Sequence, residues 1–302
     1  MSTIPRTAEH VHSHGPAIAM ICLGVFCLVV NDAMAKWLTA NYHPLQIVFM
    51  RYSLALPMIA AAVLSIGGRT ALRSRHVPVH ALRGLFLVGG AFTFFLSLKF
   101  LPLAEATSLI FVAPIFITAL SVPLLGEQVG WRRWSAVIAG FIGVLIIVRP
   151  GAEAFQPASL IVVGTAVLYA LIMISARFIR SGENVWTFMF YMVLFPALFS
   201  GLAVPLVWRT PEWEHMPLFL GIAVFGATGM TLISQAFRLA PAAIIAPFDY
   251  TALIWASLLG WLLWEEIPTV WTYAGAAVII ASGIYIVIRE TQKKKPASDQ
   301  HA

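Results

Sequence analysis

Long uncharged apolar runs, separated by short polar breaks, extend through nearly the whole chain. The stretches 154–176, 184–208, 215–237 and 267–288 contain no Asp, Glu, Lys or Arg. A run of about 20 apolar residues crosses the hydrocarbon core of a bilayer as a helix. Barrel strands would instead alternate in polarity over about 10 residues. The pattern predicts an all-α polytopic membrane protein with ten transmembrane helices, near 17–38, 45–66, 82–100, 104–125, 133–149, 158–179, 185–208, 216–237, 241–264 and 269–289.

The stretch Lys99–Arg149 holds two of these runs around a break containing Glu127, Arg132 and Arg133, and it occurs twice. Residues 237–289 repeat its order of short turn, apolar run, acid, Trp, small-residue run and terminal Arg, at an offset of about 138–140. Ala113-Pro114-x4-Ala119-Leu120 pairs best with Ala246-Pro247-x4-Ala252-Leu253, which implies a length change inside one copy. Lys36 and His43 fall near Arg177 and Asn184 at an offset of 141. Each half therefore carries five spans, and an odd number inverts the second copy in the membrane. Inverted five-helix repeats point to a transporter whose binding site lies near the midplane between the halves. The expected divisions are a tail at 1–16, a first repeat at 17–149, a linker at 150–157, a second repeat at 158–289 and a basic tail at 290–302.

Composition agrees: 60% of the 302 residues are apolar and 11% are charged, about half the charged share of soluble domains. The net charge of +6 does not form the clustered patch that nucleic acid requires, so no nucleic-acid partner is expected. Instead the bases lie in short loops. With the N-terminus inside, 14 of 19 Lys and Arg fall on the cytoplasmic side and four on the other, Arg51 lying within a span. By the positive-inside rule both termini are cytoplasmic, and the expected location is a bacterial inner membrane. Cys22 and Cys27 share the first span and imply no disulfide framework. Ala33-Met34-Ala35 imitates a cleavage site, but Asp32 precedes it, so the first helix is read as uncleaved. His10, His12 and His14 alternate in the first tail and read as a solvated segment, and no metal site is expected.

Charges inside a span cost roughly 2.5–3.5 kcal/mol on insertion scales and tend to face a cavity or a partner. Asp32 and Lys36 lie four apart on one face of the first helix, with Asn31 adjacent. They line a substrate path or form a structural pair near the interface. Arg51 lies about two turns into the second span, where its guanidinium fork suits a substrate carboxylate or phosphate, or a permanent pair with Asp32. Asp249, two residues after Pro247 and beside Tyr250, is the foremost candidate for contact with substrate or proton. Gln235 and Tyr169 are isolated polar positions that suit a cavity wall. Glu105 reads as a capping acid at a helix N-terminus, and Glu127, Glu265 and Glu266 as structural or gating acids. Trp131, Trp134, Trp208, Trp213, Trp264 and Trp271 suit interfacial belts. Gly140, Gly143, Gly226 and Gly229 suit close helix packing.

The strings PLAEATSLIFVAPIFITALSVPLLGEQVGWRRWSAVIAGFIGVLIIVRP at 102–150 and APFDYTALIWASLLGWLLWEEIPTVWTYAGAAVIIASGIYI at 246–286 resemble the paired EamA-type repeats of the drug/metabolite transporter superfamily. VVNDAMAKWLT in the first span, with Arg51 in the second, is similar to members described as S-adenosylmethionine or riboflavin transporters. The resemblance implies a ten-helix secondary transporter moving a small organic metabolite. The second repeat has Trp264-Glu265-Glu266 where the family has Gly-Glu, leaving two acids for one place. No GxxxxGK[ST], HExxH, CxxC or GxSxG occurs, so no cofactor and no enzymatic activity are expected. The partners expected are a small solute and the bilayer. A proton or exchanged solute stays open as the coupling partner, and a homodimer as the assembly. The alternatives are an intramembrane lipid-modifying enzyme, which would need acids or histidines converging at one depth, and a non-transporting scaffold or sensor. No histidine is expected deep in a span.

Overall fold

The computed structural model of the protein describes residues 15–151, 155–179 and 183–293. The histidine tail over 1–14, residues 152–154 of the expected linker, Arg180 and the tail beyond 293 lie outside these residues. Twelve helices follow in order: α1 (Gly15–Leu38), α2 (Pro44–Ala62), α3 (Val77–Ser97), α4 (Leu103–Ile110), α5 (Ala113–Leu125), α6 (Trp131–Val148), α7 (Ala158–Ser175), α8 (Val185–Ala203), α9 (Met216–Leu239), α10 (Ala242–Asp249), α11 (Ala252–Trp264) and α12 (Val270–Lys293). Among the described residues there is no strand. Among the described residues nine helical segments are long and apolar enough to cross a membrane, and α12 adds the shorter apolar stretch Val270–Ile286. The face of the bundle holding Gly15 is called proximal below, and the face holding Leu38 distal.

The fourth and ninth spans are each split, into α4–α5 and α10–α11. Pro114 opens α5, and without an N–H it cannot continue the ladder from α4. At both splits the backbone tightens into three-residue turns. Val112 N–H donates to Leu109 O at 3.2 Å, and Thr251 N–H to Phe248 O at 3.1 Å. In the second, Thr251 Oγ1 also donates to Phe248 O at 2.7 Å.

The repeat is visible residue by residue. Helices α4, α5 and α6 begin at Leu103, Ala113 and Trp131, and α10, α11 and α12 at Ala242, Ala252 and Val270, in each case 139 positions later. No length change occurs inside this stretch, contrary to the pairing of the two Ala-Pro strings: Pro114 begins α5, whereas Pro247 lies inside α10. Helices α2 and α8 begin 141 apart, at Pro44 and Val185, while α3 and α9 begin 139 apart, at Val77 and Met216. The difference of two residues therefore falls in the connection between α2 and α3, where a surface loop absorbs it. His43 and Asn184 cap α2 and α8 in the same way, accepting from Leu45 N–H and Trp186 N–H.

Packing follows the same inversion: α1 lies on α9 and α7 on α3, while α2 meets α8 and α6 meets α12. Glycines allow the closest approaches. A Cβ on Gly229 would sit 2.8 Å from the Gly24 carbonyl oxygen, and one on Gly143 2.9 Å from the Gly275 carbonyl oxygen. In a membrane, where lipid is as apolar as leucine, such backbone contact holds helices together. Ile138, Ile142 and Leu145 of α6 remain exposed, spaced as the lipid-facing stripe of a helix.

Candidate functional site

Asn31 and Asp32 lie in α1, about two turns before its distal end, and Arg51 lies two turns into α2. The two helices run antiparallel, so the three residues meet at a common depth, about two turns from the distal ends of both. Gly226 of α9 completes the group: a Cβ there would sit 3.0 Å from both Arg51 Nε and Asn31 Oδ1. The absence of a side chain on α9 lets the guanidinium and the amide lie against its backbone. Asn31 is fully buried, its Nδ2 donates to Asp32 Oδ1 at 2.8 Å, and its Oδ1 has no partner. Asp32 lies within coulombic reach of Arg51. The Arg51 guanidinium stacks near Tyr52 and Phe95, 5.4 and 5.9 Å from their ring centres. Among the described residues it has no hydrogen-bond acceptor.

Asp32 and Arg51 line a cavity of about 360 Å³ between the halves, at the lower end of the range for small-molecule sites. Its walls come from α1, α2, α3, α4, α7, α8 and α9, and the polar pair faces a mostly apolar lining rich in aromatic and thioether groups, including Phe94, Tyr169, Met189 and Met192. The lining extends to Val185 at the proximal start of α8 and to Ser234 near the proximal end of α9. On the distal side the lining reaches Phe94 and Phe95, in the last turn of α3. Toward the proximal face it reaches the terminal turns of α2, α7 and α8 at Ile59, Ile172 and Val185.

Of the residues singled out in the sequence, Asp32, Arg51 and Tyr169 line this cavity and Asn31 supports it. Asp249 closes α10 just before the split, within coulombic reach of the Tyr169 and Tyr250 hydroxyls. The Tyr250 ring packs edge-on against Phe111, 4.9 Å away. Asp249 and Tyr250 thus adjoin the cavity through Tyr169 and are not among its lining residues. Gln235 lies near the proximal end of α9, where its Oε1 accepts from Arg238 at 3.3 Å.

Lys36 parts from Asp32. It lies one turn further along α1, where Nζ donates to Glu266 Oε1 at 2.5 Å and to Leu101 O at 2.9 Å. Glu266 also accepts the Leu103 N–H at 3.1 Å. Glu265 takes the left-handed conformation that ends α11 (φ 57°), as Gly126 does at the end of α5 (φ 67°). Glu266 is therefore the counterpart of Glu127, which answers the choice between the two acids. Glu127 pairs with Arg177. Glu105 accepts from Ser159 at 3.3 Å and lies in coulombic reach of Arg149, joining the distal ends of three helices.

A second charged group straddles the edge of the hydropathy pattern, which starts the third span at 82. Helix α3 begins five residues earlier, and it buries His80 and Arg83, 1% and 2% exposed. His80 is thus a histidine inside a span, against expectation, though only one turn from its end. Its Nε2 lies 3.0 Å from Glu183 Oε2, and Ser74 also hydrogen-bonds to Glu183. Arg83 Nη1 donates to Ile172 O at 2.7 Å, and its guanidinium lies 4.4 Å from the Phe188 ring centre. The signal available in the sequence was Pro78, a residue favoured in the first turn of a helix.

The chain belongs to the EamA-like transporter family, whose pattern matches residues 15–149 and again 156–289. It is similar to the S-adenosylmethionine uptake transporter of Rickettsia prowazekii, at 28% identity over 93% of this chain and 95% of that protein. It is likewise similar to the riboflavin transporter of Vibrio cholerae, at 30% identity over 92% of this chain and 95% of that one. A solved crystal structure shares the fold, with a TM-score of 0.61 at 20% identity, covering 93% of this chain and 99% of the other. The protein is thus a multi-pass membrane transporter of a small organic solute.

Proposed function

We propose that the protein is a secondary transporter of the inner membrane that carries a zwitterionic metabolite with an apolar or aromatic body, of the S-adenosylmethionine type, by alternating access. The observation that carries this reading is Arg51, a cation without a protein acceptor among the described residues, set near Asp32 in an apolar cavity. A carboxylate docks on the guanidinium fork, an amine on Asp32, and the remainder lies among Phe94, Tyr169 and the methionines. A sulfonium over these rings gains cation–π attraction. A neutral ring system such as riboflavin would offer neither a carboxylate to Arg51 nor an amine to Asp32.

The Lys and Arg count makes the proximal face cytoplasmic, and with it the tails 1–16 and 290–302. The cavity then faces the cytoplasm in this conformation, and the halves 17–149 and 158–289 rock about it. Asp249, next to Tyr169, is the group we assign to a coupled proton.

The test is counterflow in proteoliposomes with labelled S-adenosylmethionine, riboflavin and an aliphatic amino acid, comparing the unaltered protein with Arg51→Gln and Asp32→Asn. Accumulation of S-adenosylmethionine that both variants weaken is the expected result. Equal accumulation in all three proteins would remove the site. Chemical change in the recovered solute would favour the enzyme reading instead.

A further inference from the structure

The inverted repeat places two ion pairs at equivalent positions on opposite faces, and only one of them is complete. At the distal face, Lys36 at the end of α1 meets Glu266 just after α11. The pair is largely buried, with side-chain exposures of 9% and 24%. It also captures the corner between α3 and α4: Lys36 donates to Leu101 O, and Glu266 accepts from Leu103 N–H. Lys36 Nζ further lies 5.1 Å from the Trp264 ring centre. Three elements, drawn from both halves, are tied at one point.

At the proximal face the equivalent residues are Arg177, 141 positions after Lys36, and Glu127, 139 positions before Glu266. They pair with each other just beyond the ends of α7 and α5, but with exposures of 48% and 34%. The equivalent corner, between α9 and α10, has Ala240 in the place of Leu101, Pro241 in that of Pro102 and Ala242 in that of Leu103. Among the described residues neither Arg177 nor Glu127 bonds to it. The proximal knot therefore ties two elements where the distal one ties three. The incomplete knot is at the face toward which the cavity extends.

We infer that these two ion pairs are the latches of the transport cycle, the distal one closed here and the proximal one half made. This rests on the alternating-access reading above. In the opposite state the α9–α10 corner swings onto Arg177 and Glu127, so that Arg177 donates to Ala240 O and Glu127 accepts from Ala242 N–H. Lys36 and Glu266 release the α3–α4 corner at the same time. Exposure explains the bias: a solvated pair contributes little, whereas a buried one with further charge-assisted hydrogen bonds holds its elements firmly. Glu265 serves the distal latch, because its left-handed turn aims Glu266 back at Lys36.

The experiment uses the full chain in proteoliposomes of known orientation, with Cys22 and Cys27 replaced by serine and Ala227→Cys placed in the cavity wall. A membrane-impermeant thiol reagent is applied to each face in turn. The expected baseline is fast labelling from the proximal face and slow labelling from the distal one. Glu266→Gln, which keeps shape and removes charge, should raise distal labelling about tenfold or more by shifting the two-state population. Exchanging the partners, Lys36→Glu with Glu266→Lys, should restore distal protection. Glu127→Gln should lower distal labelling, because it weakens the latch of the opposite state. Distal labelling unmoved by Glu266→Gln and by Glu127→Gln alike would overturn the proposal, and so would an exchange that leaves distal protection unrestored. Solute counterflow on the same vesicles keeps the two readings apart. Transport with unmoved labelling removes the latches and leaves the transporter. Labelling that shifts as described, without uptake of the tested solutes, keeps the latches and removes the solute assignment.

Discussion

Arg51 and Arg83 both lie inside spans, and their surroundings are opposite. Arg83 is buried at the proximal end of α3, bonded to Ile172 O and Ser175 Oγ of α7 and stacked on Phe188 of α8. The protein supplies acceptors to Nη1, while Nε has none among the described residues, and this charge joins three helices. Arg51 lies two turns into α2, near one carboxylate and two rings, with no hydrogen-bond acceptor among the described residues. Its hydrogen-bonding capacity is left for something that enters the cavity. A charge inside a membrane protein is thus read by what it faces: Arg83 is buried against protein acceptors, and Arg51 is half-buried on a cavity.

The sharpest way to break this comparison is to truncate both. Arg83→Ala removes a packed stem and strands a buried carbonyl, which together cost about 3 kcal/mol of stability. Thermal unfolding in detergent should show a markedly lower midpoint, while the molecules still folded keep their half-saturation within about twofold. Arg51→Gln should do the reverse. Loss of a charge-assisted contact of about 1.5–3 kcal/mol raises half-saturation roughly 10- to 100-fold, with the unfolding midpoint unchanged. Arg51→Lys should recover part of this, keeping the charge but not the fork. If Arg51→Gln instead lowers stability and leaves affinity alone, Arg51 is structural and the contrast collapses.

Gly226→Ala sharpens the comparison from the other side. The added carbon would meet Arg51 Nε and Asn31 Oδ1 at 3.0 Å and displace both. A disturbance of about 1 kcal/mol predicts roughly fivefold weaker solute binding, read by the same counterflow assay, with little change in unfolding. The smallest effect belongs to Asn184→Ala, which removes the cap of α8 for about 1 kcal/mol far from Arg51. A slightly lower unfolding midpoint with unaltered affinity is expected.

Much of the fold was legible because a bilayer enforces a coarse rule. Each span must be long, apolar and helical, and the uncharged runs satisfy it one after another. The offset of 141 at His43 and Asn184 marked two true equivalents, since both residues cap a helix. The Ala-Pro strings misled because prolines act at different places in the two copies, opening α5 in one and sitting inside α10 in the other. Arg83 fell at the very edge of the predicted third span because a charge ends a hydropathy window, although a short polar first turn continues the same helix. Asp32 and Arg51 were recognisable as costly charges at similar depth. Lys36 was equally visible, yet its helical spacing from Asp32 suggested a partner that it does not take.

By itself, then, the order of residues determined the number of spans, the doubling and inversion of the five-helix unit, and which charges needed an explanation. These follow from local chemistry: hydrophobic length, loop charge, and the cost of a polar group in lipid. The tertiary structure alone decided the partners. It brought Glu266 to Lys36 across 230 positions, gave Arg83 a carbonyl from α7, and left Arg51 facing a cavity. Those outcomes depend on which helix ends arrive at the same depth and face, a long-range result of packing that no local pattern encodes.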